Sequence, residues 1–176
     1  MIDLLQQIFD YHYAQIYLID QETQNLVLKI GSGPIGKQLV KQGHCLPAGE
    51  GIAGYAAATG EPFVTNNVDE VVFFKREPLL PDVQYEIAVP IKIDHHVIGV
   101  LDIQQTHPHR LSDNDLQLMI AIADQLALVL QKANLYRTLQ TALEQEQLVR
   151  SQLVQSERLA LVGRLLASVS HELNNP

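Results

Sequence analysis

The sequence predicts an α+β protein: an antiparallel sheet carrying helices, followed by one long carboxyl-terminal helix. Three observations predict it. Two pairs of apolar, β-branched runs lie at 13–20 with 25–31 and at 85–93 with 97–105. A glycine- and proline-rich stretch separates the pairs, and from Ser112 to Asn175 the chain has no proline and one glycine, Gly163.

The elements follow in order. DLLQQIFDYH sets Leu4, Leu5, Ile8 and Phe9 on one helical face. YAQIYLID and NLVLKIG, parted by the polar DQETQ, read as strand, turn and strand. YEIAVPIKI and VIGVLDIQQ, joined at Asp94-His95, form a second hairpin. Ile87, Val89, Ile91 and Ile93 alternate on its first arm. On the second, Ile98 and Val100 are expected on one face and Val97, Leu101 and Ile103 on the other, so both faces must be covered. Residues 31–84 hold 8 of the 10 glycines and 5 of the 8 prolines, with a short helix at YAAAT, and this composition suits binding surface more than core. SDND at Ser112–Asp115 fits a capping box ahead of LQLMIAIADQLALVL. A continuous helix from there would run about 63 residues and roughly 95 Å at 1.5 Å per residue, more than one small sheet can cover.

The distal helix therefore needs another partner. Leu135, Leu139, Ala142, Val149 and Leu153 follow the 4,3 alternation of a coiled-coil seam with Glu146 as a polar position. Leu159, Val162, Leu166, Val169 and Leu173 form a second seam, out of register with the first. An identical helix is the expected partner, giving a homodimer.

Net charge −8 and pI near 5.2 argue against nucleic-acid binding, which depends on clustered Lys and Arg. The single cysteine, Cys45, cannot form a disulfide within the chain and fits a reducing compartment. The longest apolar stretch, Leu118–Leu130, is interrupted by Asp124 and Gln125 and falls short of the roughly 20 residues a membrane span needs. The amino end has no signal-peptide pattern. A cytoplasmic protein without membrane contact is expected.

At the other end stands SVSHELNNP. His171 lies about 160° around the helix from Val169 and Leu173, away from the seam, with Glu172 adjacent and Asn175 one turn on. A neutral imidazole has a lone pair for attack on phosphorus, and a carboxylate beside it can take its proton. RLALVGRLLASVSHELNNP resembles the phosphoacceptor segment of the sensor histidine kinases. The resemblance implies that His171 is the phosphoacceptor, that Glu172 is the acid assisting its attack on ATP, and that Asn175 positions a water in the reverse, phosphatase reaction. It also implies a response-regulator receiver domain as partner, with ATP and Mg held by a catalytic domain beyond this sequence. Pro176 then reads as a cut inside a longer enzyme, and this fragment is expected to hold no cofactor and to be inactive alone.

PAGEGIAGYAAATGEPFVTNNVDE, then IAVPIKIDHHVIGVLDIQ and the helix after LSDND, resemble a GAF domain over about residues 1–134. That implies a profilin-like sheet of six antiparallel strands, first and last helices on one face, and a ligand pocket under the loops of the other. The implied organisation is a sensory domain at 1–134, a coiled-coil signalling helix at 135–158 and a truncated first helix of the dimerisation and phosphoacceptor domain at 159–176.

The signal is less legible. Gly49, Gly51 and Gly54 satisfy GxGxxG but lack the flanking βαβ unit, so positive φ and close packing explain them better than a dinucleotide. The cyclic-nucleotide signature of some GAF domains is not found at workable spacing, and His44 precedes Cys45 where bilin attachment has the reverse order. His44, His95, His96, His107 and His109 read as solvated turn residues, and no metal site is expected. Tyr55, Phe63, Phe74, Arg76 and Tyr85 are the candidate pocket residues for an unidentified small ligand. Equally, they fill space and the domain binds nothing. The rival to the kinase reading is a non-catalytic, dimerising GAF-domain regulator that binds a small ligand.

Overall fold

A computed structural model describes residues 11–106 and 110–173. The expected helix over Leu4–Phe9 lies outside them, as do His107, His109 and Asn175. The sheet has six strands: β1 Tyr13–Ile19, β2 Leu26–Gly31, β3 Cys45–Leu46, β4 Phe63–Thr65, β5 Tyr85–Ile93 and β6 His96–Gln105. Their order is β3-β2-β1-β6-β5-β4, and every pair is antiparallel. The helices are α1 Gly33–Lys41, α2 Gly51–Thr59 and α3 Asp113–Leu173, with a 3-10 turn at Val68–Glu70.

The β5–β6 hairpin turns where expected. Ile93 pairs with His96, and Asp94 and His95 both take positive φ, 47° and 67°, as the two central residues of a type I′ turn must. One expectation fails on β6. Ile91 pairs with Gly99 but Lys92 with Val97, so Ile98 is an extra residue. This bulge turns Ile98 onto the face of Leu101 and Ile103, while Val100 stays on the other. Gly99 beside it is obligatory, because a Cβ there would stand 2.2 Å from the Tyr17 carbonyl oxygen. β4 pairs only with Glu86–Ala88, so Pro90 further along β5 sits where no outer strand asks for its missing N–H.

Two cores result, one per face. Ile16, Ile87, Val89, Ile91, Leu101 and Ile103 pack against Met119, Ala123, Leu126 and Ala127 of α3. Those four α3 residues follow the 3.6-residue period of a helix with one buried face. On the other face Tyr17, Leu28, Ala88 and Val100 meet Leu39 of α1, Ile52, Ala53 and Ala56 of α2, and Val68, Leu80 and Val83. Each fully buried aliphatic side chain contributes on the order of 1.5–3 kcal/mol. The glycine-rich stretch, whose composition suggests loop, also holds the helix α1 and the strands β3 and β4, and α2 is four residues longer than YAAAT. Gly51 starts α2 at φ +70, and Gly54 packs against Pro47 and Gly49 in an all-antiparallel setting, which fits the packing role given to these glycines.

The capping box forms as expected. The Ser112 amide and hydroxyl both donate to Asp115 Oδ2, at 2.8 and 2.6 Å. Burial alone would raise the Asp115 pKa, but the Ser112 and Tyr11 hydrogen bonds together bring it below the ordinary value. Internal contacts divide the chain into Met1–Leu130 and Gln131–Pro176. In the second unit the described side chains are exposed, Leu135, Leu139, Leu143, Leu148, Val149, Leu153 and Val162 among them. Of the described helices, α3 is long and apolar enough to cross a membrane, by length and composition only. Met119, Ala123, Leu126 and Ala127 within it are packed in the sheet core.

Candidate functional site

On the face away from α3, a cavity of about 280 Å³ lies between the sheet, α1, α2 and the segment 74–80. Its floor comes from the middle of the sheet: Gln15 and Tyr17 of β1, Asp102 and Gln104 of β6, and Glu86 of β5. Pairing places Gln15 opposite Asp102 and Glu86 opposite Gln104, so these polar side chains share one face. Leu39, Ile52, Ala53 and Leu80 supply apolar wall, and His44, Cys45, Lys75, Arg76 and Glu77 supply polar and charged lining.

The floor is buried and only partly satisfied. Gln15, Glu86 and Asp102 are 1%, 3% and 1% exposed. The Tyr17 hydroxyl donates to Gln15 Oε1 at 2.6 Å, and Gln104 Nε2 donates to Asp102 Oδ2 at 2.8 Å. Gln15 Nε2, Glu86 Oε2 and Asp102 Oδ1 have no hydrogen-bond partner among the described residues. Buried polar atoms are rarely left so. Burial, and then the Asp102 carboxylate beside it, pushes the Glu86 pKa far above the ordinary carboxylate range. Burial also raises Asp102, to about 7, against hydrogen bonds from Glu86 and Gln104 that pull it down. Two like charges in one dry site cannot both form cheaply, so the pair keeps a proton near neutrality. Burial raises the Tyr17 hydroxyl as well, helped by Asp102, Glu86 and Glu77.

Of the five pocket residues named from sequence, the structure brings Phe74 and Arg76 to this cavity. The Arg76 guanidinium lies 5.2 Å from the Phe74 ring centroid, pairs with Asp69 and donates to the Pro81 and Val83 carbonyls, pinning the segment together. Tyr55 and Phe63 are not in the cavity lining. Tyr55 stacks on Phe73 at 4.4 Å, and Phe63 sits edge-on to both. Tyr85 belongs to the opposite face, in the core against α3, because odd positions of β5 point there. His44, expected as a solvated turn residue, is instead half-buried in the cavity wall, with Nδ1 3.4 Å from Glu77. Burial lowers its pKa, opposed by Glu77 and aided by Lys75. Cys45 is exposed. Among the described residues no three His, Cys, Asp or Glu side chains converge as metal ligands would.

The acidic floor escaped the sequence reading, although a parity rule exposes it. A two-residue turn at Asp94-His95 makes facing positions sum to 189, which would set Glu86 opposite Ile103 and Asp102 opposite Ile87. The apolar positions Ile87, Val89, Leu101 and Ile103 are all odd, and sharing one face requires an even sum. One bulged residue reconciles the two, and it places Glu86 and Asp102 together on the other face.

The segment beyond β4 also touches the start of α3. Asn66 Nδ2 donates to the Leu111 carbonyl at 3.1 Å, and the Leu111 amide donates to Asn66 Oδ1 at 2.9 Å. His171 and Glu172 lie within α3, with their side chains outside the described residues; Asn175 lies outside altogether.

The family model for the GAF domain matches residues 1–131. The free methionine-R-sulfoxide reductase of Escherichia coli strain K12 is 31% identical over 127 residues, covering 72% of this chain and 71% of that protein. The DNA-binding transcriptional activator HyfR of the same organism is 26% identical over 110 residues, covering 58% of this chain, and the chain spans only 16% of its length. Among solved structures, the GAF domain of a phosphoenolpyruvate-protein phosphotransferase from Coxiella burnetii superposes with a TM-score of 0.70 at 22% identity, covering 78% of this chain and 82% of that one.

Proposed function

The chain belongs to the GAF domain family of sensory and regulatory modules found in signalling proteins, and on that premise we propose that it is the sensory and phosphoacceptor portion of a two-component sensor histidine kinase. The observation that carries the reading is one helix. α3 runs from the sheet's own core at Met119 to Leu173, and RLALVGRLLASVSHELNNP stands at its distal end. Leu128, Leu135, Leu139, Val149 and Leu153 are 54–71% exposed along it, and a second copy of the same helix covers such a stripe. The protein is then a cytoplasmic homodimer.

In the full-length enzyme, the His171 imidazole attacks the γ-phosphorus of ATP bound by a separate domain with Mg. A nitrogen–phosphorus bond forms, the bond to the β-phosphate oxygen breaks, ADP leaves, and Glu172 takes the imidazole proton. The phosphoryl group then passes to an aspartate of a response-regulator receiver domain. Asn175 positions the water in the reverse reaction. From the reductase relative we carry over a pocket for a small molecule and no redox chemistry. Cys45 is the chain's one thiol, so a sulfenic acid formed there has no partner within the chain to resolve it.

The test supplies a kinase ATP-binding domain and γ-labelled ATP to this chain. Acid-labile, alkali-stable label that disappears in His171→Gln is the expected result. No label, with a dimer that still binds a small ligand, supports the non-catalytic regulator instead.

A further inference from the structure

We propose that the cavity over the sheet binds a small organic cation, a primary amine with an oxygen acceptor close to its nitrogen, held by Glu86, Asp102 and Gln15. The inference rests on the sheet domain being the sensory part and names what it senses. Three side chains, each at least 97% buried, line one cavity and have an atom without a partner there. Two of those atoms are carboxylate oxygens and one is an amide donor. Their complement is a group with at least two N–H donors and one acceptor oxygen. An ammonium supplies the donors and the charge that two buried carboxyls need. Gln15 Nε2 is left to donate to the ligand's oxygen, since Gln15 Oε1 already accepts from Tyr17.

Size and wall narrow the class. A volume of about 280 Å³ stands at the small end of the range for ligand pockets. Leu39, Ile52, Ala53 and Leu80 offer apolar surface to a short aliphatic body. The charged groups lining or adjoining the cavity are Glu86 from β5, Asp102 from β6, and His44, Glu50, Lys75, Arg76 and Glu77 from the loops. Lys75 and Arg76 are already paired with Glu50 and Asp69. With burial holding the His44 pKa down, the unmatched charge lies on Glu77 in the wall and on the Glu86–Asp102 floor, and it is negative. An arriving ammonium replaces the proton the pair retains, and that proton leaves to solvent.

The probe is 2-aminohexan-1-ol, with hexane-1,2-diol as its uncharged match and magnesium chloride as a metal control, each at millimolar concentration with the full chain. Tyrosine near-ultraviolet circular dichroism follows thermal unfolding. The amino alcohol is expected to raise the midpoint by several degrees in a concentration-dependent way, and the diol and magnesium to leave it unchanged. Calorimetry at pH 7 in two buffers of different ionisation enthalpy is expected to detect proton release on amine binding. In the Glu86→Gln, Asp102→Asn double variant the amine response disappears. An equal response to the diol, an equal response to magnesium, or no amine response in the parent chain overturns the proposal. The parent-chain comparison decides even if the double variant does not fold. Labelling of His171 is scored separately, so loss of amine binding with label intact removes this inference and leaves the kinase reading standing.

Discussion

Replacing Asp102 by Asn should remove the Asp102 share of a stability loss that the parent chain suffers between pH 4 and 7. The Asp102 carboxyl moves from an ordinary value of 3.8 to about 7 in the fold, chiefly because it is fully buried. An acid whose folded pKa is raised binds more protons folded than unfolded throughout that window, so stability falls as pH rises across it and levels off above 7. Three pKa units at 1.36 kcal/mol each give about 4 kcal/mol for this group. Glu86 acts in the same direction, and Asp115, whose pKa is lowered, acts oppositely at more acidic pH. Because the Asp102 carboxyl is itself one of the causes that raise Glu86, the difference between variant and parent reports the Asp102 ionisation removed together with the relief this gives Glu86. Asparagine keeps the shape and an acceptor for Gln104 but carries no charge to desolvate. Urea unfolding should therefore give nearly equal stabilities at pH 4 and a variant more stable by up to about 4 kcal/mol at pH 8. The readout is tyrosine near-ultraviolet circular dichroism, which reports buried Tyr11, Tyr17 and Tyr85. A difference that stays flat with pH, or an asparagine chain weaker than its parent at pH 8, would refute the picture of a carboxyl forced to ionise in a dry site.

Three further outcomes follow. Gly99→Ala places a methyl 2.2 Å from the Tyr17 carbonyl oxygen and should cost about 3 kcal/mol, read as a lowered thermal midpoint of the sheet domain. Asn66→Ala removes both hydrogen bonds to the Leu111 backbone and should cost about 2 kcal/mol by chemical denaturation, at about 1 kcal/mol each. Leu139→Glu puts a charge in the middle of the exposed stripe of α3; sedimentation should show a dimer become a monomer, while near-ultraviolet signals of the sheet stay unchanged.

What could be read from the sequence was what local chemistry decides. Asp94-His95 between two apolar runs, the Ser112–Asp115 box and a stretch free of helix breakers each specify their element within a few residues. α1 was unreadable on the same terms. Gly33, Pro34 and Gly36 read as loop, and Ser32, the residue a capping argument would want, spends its hydroxyl accepting from the Ala14 amide rather than capping the helix. The site was harder still. Glu86 and Asp102 sit 16 positions apart in runs that otherwise look like core, and only the pairing of β5 with β6 makes them neighbours. Tyr55, Phe63 and Tyr85 stand in and around the loop segment expected to line a pocket, but Tyr55 and Phe63 pack on Phe73 and on each other, and Tyr85 packs in the core against α3.

The extra residue at Ile98 gives the hairpin one position of slack. Deleting it would leave a regular two-residue hairpin with Gly99 still facing Ile91, so Asp102 would keep to the cavity side and Leu101 and Ile103 to the side of α3. What the bulge adds is a local kink and twist beside Gly99, where the Tyr17 backbone comes too close for a side chain. Natural variants of this hairpin should therefore be found one residue shorter with both sides kept.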